Sequence, residues 1–137
     1  MKYLFDTDTC ISLIDAREPA RQKAILARLE RLRDTEVVVS TISVFELSFG
    51  VENSAFREVN RQVLDALLLD FRIAPFDEPA AREAGVVRAT LEKAGKRISP
   101  MDVLIAGHAK ALGVTIVAGN LSHFSRIKGL KVENWSA

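Results

Sequence analysis

The 137-residue chain holds a single cysteine, Cys10, and so cannot close an internal disulfide. That excludes a disulfide-stapled secreted scaffold and points to a reducing compartment. The opening residues Met1-Lys2-Tyr3-Leu4-Phe5-Asp6 bring in an acid too early for the ~7–15-residue apolar core of a secretory signal. No uninterrupted apolar run approaches the ~18 residues of a membrane span, so no membrane partner and a cytoplasmic location are expected. Neither sign of charge dominates. Lysine plus arginine number 19 against 18 aspartate plus glutamate, a formal net charge of +1. This excludes a charge-dominated nucleic-acid binder, but not a nucleic-acid enzyme whose positive charge is local or carried by a metal. Only two histidines occur, His108 and His123, and neither lies in an H-E-x-x-H pattern, which argues against a zinc hydrolase. Phosphate-binding P-loop, G-x-G-x-x-G and G-x-S-x-G patterns are also missing.

What is present is ordinary for a globular chain, 48% hydrophobic and 27% charged, and fits one domain over residues 1–137. Strand and helix signals alternate. Strands are expected at Lys2 to Phe5, Glu36 to Val39, Phe71 to Ala74, Thr115 to Val117 and Lys131 to Glu133. Helices are expected at Thr9 to Asp15, Glu18 to Arg33, Ile42 to Val51, Ala55 to Leu69 and Pro79 to Lys93. Ser99-Pro100 opens another that runs to about Leu112, with Gly113 as its stop. Such alternation implies right-handed crossovers and an α/β fold with a mostly parallel sheet covered on both faces. In such sheets the working site lies beyond the carboxyl ends of the strands.

The acids there stand apart. Most charges fall in dense mixed clusters, Arg17 to Glu36 and Asp77 to Arg97, as solvated helix faces do. Asp6 and Asp8 instead follow the first strand in an otherwise uncharged run. Glu46 is the only charged residue between Val37 and Val51, and Asp102 the only acid between Ile98 and Leu112. Helical spacing places Glu46 on a face with Ile42 and Phe49, and Asp102 on one with Ile105, Ala106 and Ala109. Two carboxylates about 4 Å apart repel by about 4 kcal/mol at an effective dielectric of roughly 20. A divalent cation removes that cost, and a few hard carboxylate oxygens are what Mg²⁺ or Mn²⁺ takes. Capping is the competing explanation. Ser99 with Asp102, and Ser43 with Glu46, both match a capping box, and Asp8 is placed to cap the helix after the first strand. Three isolated acids from three segments are harder to explain as three caps. Cys10 reads as packed, and His108 as packed or on the surface, rather than catalytic. Lys96, Arg97, Arg126 and Lys128 are short basic features expected near the site end, either solvated or on a nucleic-acid backbone.

The ordered pieces Tyr3-Leu4-Phe5-Asp6-Thr7-Asp8, Ser40 to Leu47, Ile98 to Ala106, and Val117 to Ile127 followed by Gly129 to Trp135 carry a resemblance. The chain resembles PIN-domain ribonucleases, specifically the VapC toxins of bacterial type II toxin–antitoxin pairs, from end to end. The resemblance implies a PIN-like three-layer sandwich, with a central sheet of four or five mostly parallel strands between helices. It implies an Mg²⁺ site, with Mn²⁺ able to substitute, in which Asp6 and Asp102 are the central ligands and Glu46 acts through the metal or its water. Asn120 stands where the family often has a fourth acid, and Ala118 where it often has threonine. One firmly held Mg²⁺ is therefore expected rather than two, with Asn120 orienting water or a phosphate oxygen. The implied substrate is RNA, and for the enteric-like subgroup the anticodon loop of initiator tRNA. The implied partners are a second copy and a small VapB-like antitoxin whose tail fills the groove. The long helices Glu18 to Arg33 and Ala55 to Leu69 serve those interfaces or the core. Two alternatives stand beside this. Asp6-Thr7-Asp8 after a strand also fits a haloacid-dehalogenase-like phosphatase with Asp6 as nucleophile. The missing fourth acid fits a module that binds RNA or protein without catalysis.

Overall fold

The computed structural model describes residues 1–136, and position 34 by its backbone alone. In chain order the elements are β1 (Tyr3–Phe5), α1 (Thr7–Ile14), α2 (Pro19–Leu29), β2 (Val37–Ser40), α3 (Thr41–Glu52) and α4 (Arg57–Leu69). They continue with β3 (Arg72–Ala74), α5 (Glu78–Lys93), α6 (Pro100–Leu112), β4 (Thr115–Val117), α7 (Leu121–Phe124) and β5 (Val132–Glu133). A 3-10 turn, Asp34–Glu36, leads into β2.

The strands form one parallel sheet in the order β3-β2-β1-β4-β5. The β-branched run Val37-Val38-Val39 is buried throughout, as a strand covered on both faces must be. Pleating sends Leu4 and Phe5 to opposite faces, so each joins a different core. Leu4 meets Ile105, Ile116 and Phe124 beneath α5 and α6. Phe5 meets Cys10, Ile25, Val39 and Trp135 beneath α1 to α4. The result is the expected three-layer α/β sandwich. The strand order reverses between β1 and β4, and a crevice opens outside the carboxyl ends of strands at such a reversal. Asp6 is the residue that follows β1.

Several boundaries moved. Helix α2 ends at Leu29 rather than Arg33, because the next three residues form turns that carry Leu32 to the second core. Helix α7 was not expected. It is a single turn, held because Phe124 is fully buried in the first core. The stop at Gly113 stands as expected, with a φ of 68°, a left-handed cap that glycine takes at little cost.

Helices α5 and α6 approach closely at Gly107. A Cβ there would lie 2.4 Å from the Cα and N of Ala84, which are backbone atoms that cannot swing aside. Gly107→Ala is therefore expected to force the two helices apart and lower stability by about 1–3 kcal/mol. Chemical denaturation of the two proteins measures this, and an unchanged midpoint would contradict it.

Candidate active site

Asp6 leaves β1 in extended conformation, with φ −73° and ψ 173°, which frees its side chain to turn back over the start of α1. Its Oδ1 accepts the Thr9 backbone N–H at 2.8 Å, the bond of a helix N-cap. The cap is thus Asp6 and not Asp8, which is exposed within the first turn of the helix. Thr9 is buried too, and its hydroxyl donates to the Val117 carbonyl at 2.9 Å, which locks the start of α1 to the end of β4. Asp6 is only 3% exposed. Burial raises its carboxyl from 3.8 to about 7. The Thr9 bonds pull the other way, and the charges of Asp8 and Asp102 push it further up.

Glu46 lies on α3, half-buried, and is reached from β1–α1 through Thr7. The Thr7 hydroxyl donates to Glu46 Oε1 at 2.6 Å. A hydroxyl has one proton, so the 3.1 Å contact between Thr7 Oγ1 and Ser43 Oγ must carry the proton of Ser43. The order is Ser43 to Thr7 to Glu46, with Ser43 fully buried. This overturns the capping-box reading of Ser43 and Glu46. Helix α3 begins earlier, with Ser40 as its cap, and Ser43 and Glu46 are interior positions. The apolar stripe ascribed to Glu46 also differs. Phe49 is 64% exposed, and the helix buries Ser43 and Leu47 instead. Two apolar sides left the inward face ambiguous from spacing alone.

Asp102 lies in the first turn of α6, where its N–H donates to the Ser99 hydroxyl at 3.3 Å. Its stripe of Ile105, Ala106 and Ala109 is buried as expected. Its carboxylate does not close a capping box. Oδ2 instead faces His123 Nδ1 at 2.8 Å. Sequence reading singled out neither Thr7 nor His123. The signal for Thr7 was its place between two isolated acids, and for His123 only its place in the stretch after β4.

Asn120 caps α7. Its side-chain oxygen accepts from the Ser122 N–H at 3.2 Å and the Ser122 hydroxyl at 2.6 Å. It lines a cleft of about 320 Å³ together with Asp8, Ile11, Ser12 and Gly119. It lies on the Asp8 side of the site, and neither Asp6 nor Asp102 lines that cleft. Among the basic residues, Arg97 pairs with Glu92 at 2.8 Å, and Arg126 donates to the Arg97 carbonyl at 3.1 Å. Both stand beside the start of α6, at the site end. Lys128 does not. Its carbonyl accepts from Lys110 in the last turn of α6, at the opposite end of that helix. Cys10 is packed, as expected, and of the packed and surface readings of His108 the packed one holds. Burial raises the Cys10 thiol above its ordinary range. Burial also lowers the His108 imidazole, which meets the Ser40 hydroxyl at 2.8 Å.

The structure therefore brings Asp6, Asp8 and Asp102 into one electrostatic neighbourhood, joins Glu46 to it through Thr7, and leaves Asn120 at the rim. Among the described residues no lysine or arginine forms an ion pair with Asp6, Asp8 or Glu46. No three Asp, Glu, His or Cys side chains among them are already gathered around one point. Glu46 is turned onto Thr7 and Asp102 onto His123. The donor chemistry nonetheless fits a hard divalent cation, with carboxylate oxygens on three elements and a buried acid lacking a cationic partner.

The strand order does not name the family, because the order 3-2-1-4-5 occurs in other doubly wound sheets. Comparison with known proteins does. A PIN domain profile matches residues 3–130. The chain belongs to the PIN-domain family. This PIN domain is closely related to the VapC toxins of type II toxin–antitoxin systems. It is 33% identical over 136 residues, 98% of each chain, to the tRNA(fMet)-specific endonuclease VapC of Salmonella typhimurium. It is 36% identical over 135 residues, again 98% of each, to the ribonuclease VapC2 of Haemophilus influenzae. A chain of the DNA-bound VapBC from Salmonella typhimurium matches it with a TM-score of 0.87 and 31% identity over 98% of both. Membership in this family sets aside the phosphatase reading of Asp6. No helix among the described residues is long and apolar enough to cross a membrane.

Proposed function

We propose that this PIN domain is the Mg²⁺-dependent endoribonuclease toxin of a type II toxin–antitoxin pair, with Mn²⁺ able to replace Mg²⁺. The observation that carries this is Asp6. It is an acid buried at the strand-order reversal, raised to about 7, with the charge of Asp102 pushing it further up and, among the described residues, no lysine or arginine paired with it. An uncompensated buried carboxylate costs several kcal/mol, and folds keep such groups chiefly where a ligand repays the cost.

Asp6, Asp102 and Glu46 would hold the metal. A divalent cation in that set supplies Lewis-acid charge for a phosphoryl oxygen and acidifies water. The chain's own residues do the positioning. Thr9 fixes one oxygen of Asp6, and Thr7 fixes one of Glu46. The Asn120 oxygen is taken up by Ser122, so its amide N–H groups are what it offers, and these suit a phosphate oxygen better than a cation. Arg126 and Arg97 stand at the site end and suit the RNA backbone.

The substrate we assign is tRNA, with the anticodon loop of initiator tRNA the first position to map. This follows the 33% identity to the tRNA(fMet)-specific enzyme. We assign two partners, a small VapB-like antitoxin and a second copy of the chain, in the cytoplasm. Relatives of known structure are VapBC and FitAB complexes. Helices α3 and α4 pack on each other and both carry exposed apolar side chains, among them Phe45, Phe49, Val59 and Leu69. Exposure on that scale fits protein partners.

The test is cleavage of total tRNA by protein freed of any partner, with Mg²⁺ or with EDTA. Discrete fragments only in the Mg²⁺ lane are expected, with end mapping naming the site. Cleavage that persists in EDTA, or none of any RNA with Mg²⁺ or Mn²⁺, would overturn the proposal.

A further inference from the structure

We propose that His123 is a positioning residue for Asp102. Its Nδ1–H donates to Oδ2 and holds the carboxylate so that Oδ1 is presented to a divalent cation. The inference rests on the metal-site reading above and adds a residue to it.

The geometry is a 2.8 Å contact between half-buried groups 21 residues apart in sequence. Both ends are fixed. Asp102 is held in the first turn of α6 by the Ser99 cap. His123 is delivered by a four-residue helix that could not stand alone. Phe124, its neighbour, is buried in the first core, and so is Ile127. Asn120 caps the turn, and Arg126 ties its far side to the Arg97 carbonyl just before α6. The α7 segment is thus tied to the start of α6 at Asp102 and at Arg97. The arrangement matches that of the other two acids. Asp6 gives one oxygen to Thr9 and Glu46 gives one to Thr7. In each case one carboxylate oxygen is held by a non-acidic donor. Partners that orient a metal-ligating carboxylate are typically worth about 10–100-fold in metal affinity.

The experiment is Mn²⁺ titration of the full chain, following free Mn²⁺ by electron paramagnetic resonance. It compares wild type, His123→Ala, His123→Asn and Asp102→Asn, with thermal unfolding in EDTA alongside. The asparagine amide places an N–H near the position of Nδ1. His123→Ala is expected to weaken Mn²⁺ binding about 10–100-fold, and His123→Asn to recover most of it, with both metal-free proteins folded. A merely structural role would lower the unfolding temperature of both without separating them in affinity. Wild-type affinity in His123→Ala would overturn the inference, even if turnover fell. So would His123→Asn binding no better than His123→Ala. Wild-type Mn²⁺ binding indifferent to Asp102→Asn would overturn the metal-site reading itself.

Discussion

Asp6→Asn is expected to cut RNA cleavage by about a thousandfold while leaving the fold intact. The metal's stabilisation of transition-state charge is worth several kcal/mol, and about 4 kcal/mol corresponds to three decades in rate. The amide keeps the same shape, and its oxygen can still accept the Thr9 N–H, so the cap on α1 survives. What disappears is the negative charge at the one acid that is both buried and at the strand-order reversal. Asp102→Asn should behave alike, because in the proposed site the two acids would serve one ion, and the double variant should be little worse than either alone. The measurement is single-turnover cleavage of tRNA in Mg²⁺, with circular dichroism to verify folding. Turnover within tenfold of wild type by either variant would contradict the assigned roles.

The same residue makes the metal-free protein sensitive to pH. In the unfolded chain the Asp6 carboxyl titrates near 3.8, and in the fold at about 7. Between those values the folded protein keeps a proton that the unfolded chain has released. Each rise in pH across the window therefore favours unfolding. The contribution is complete below about 4 and lost once pH passes about 7. At 1.36 kcal/mol per unit, roughly three units amount to about 4 kcal/mol. Asp15, Glu52 and Glu92 act in the opposite sense, because their arginine partners hold their carboxyls low. Their effect falls at low pH, as they become protonated, below the range from pH 5 to pH 8. His108, lowered from 6.5 by burial, also acts in the opposite sense and does so within the Asp6 window, so the Asp6 contribution is read as the difference between two proteins that both keep His108. Thermal unfolding in EDTA from pH 5 to pH 8 should show wild type losing stability relative to Asp6→Asn, which ends the more stable at pH 8. Adding Mg²⁺ at pH 8 should then raise the wild-type unfolding temperature and leave Asp6→Asn nearly unmoved, since only a ligand that binds the folded state stabilises it. Equal pH slopes for the two proteins would contradict this account.

Much of the architecture was legible because local rules govern it. The β-branched run at Val37 to Val39 can only be a covered strand, and the alternation with helices leaves a parallel sheet as the economical solution. Ser99-Pro100 and Gly113 mark the two ends of α6 by capping chemistry that needs no tertiary partner. The acids of the site were visible as well, because Glu46 and Asp102 interrupt apolar runs where a solvated charge has no reason to be. The misreadings came where two local solutions were equally good. Asp6 and Asp8 both follow β1 and either could cap α1. Ser40 and Ser43 both precede helical residues of α3. A helix apolar on two sides leaves open which side turns inward, and so spacing alone could not show that Phe49, on the face of Glu46, faces out.

The sequence by itself determined the layers, the strands and which acids are out of place, since each follows from spacing within a few residues. The tertiary structure alone decided what holds those acids. The hydrogen-bond partners of Glu46, Asp102 and the Ser40 cap of α3 are Thr7, His123 and His108, separated from them by 39, 21 and 68 residues. A hydrogen bond needs its donor within about 3 Å along a narrow range of directions. That condition is met by the crossovers and by the docking of α7 through Phe124, and not by any pattern along the chain.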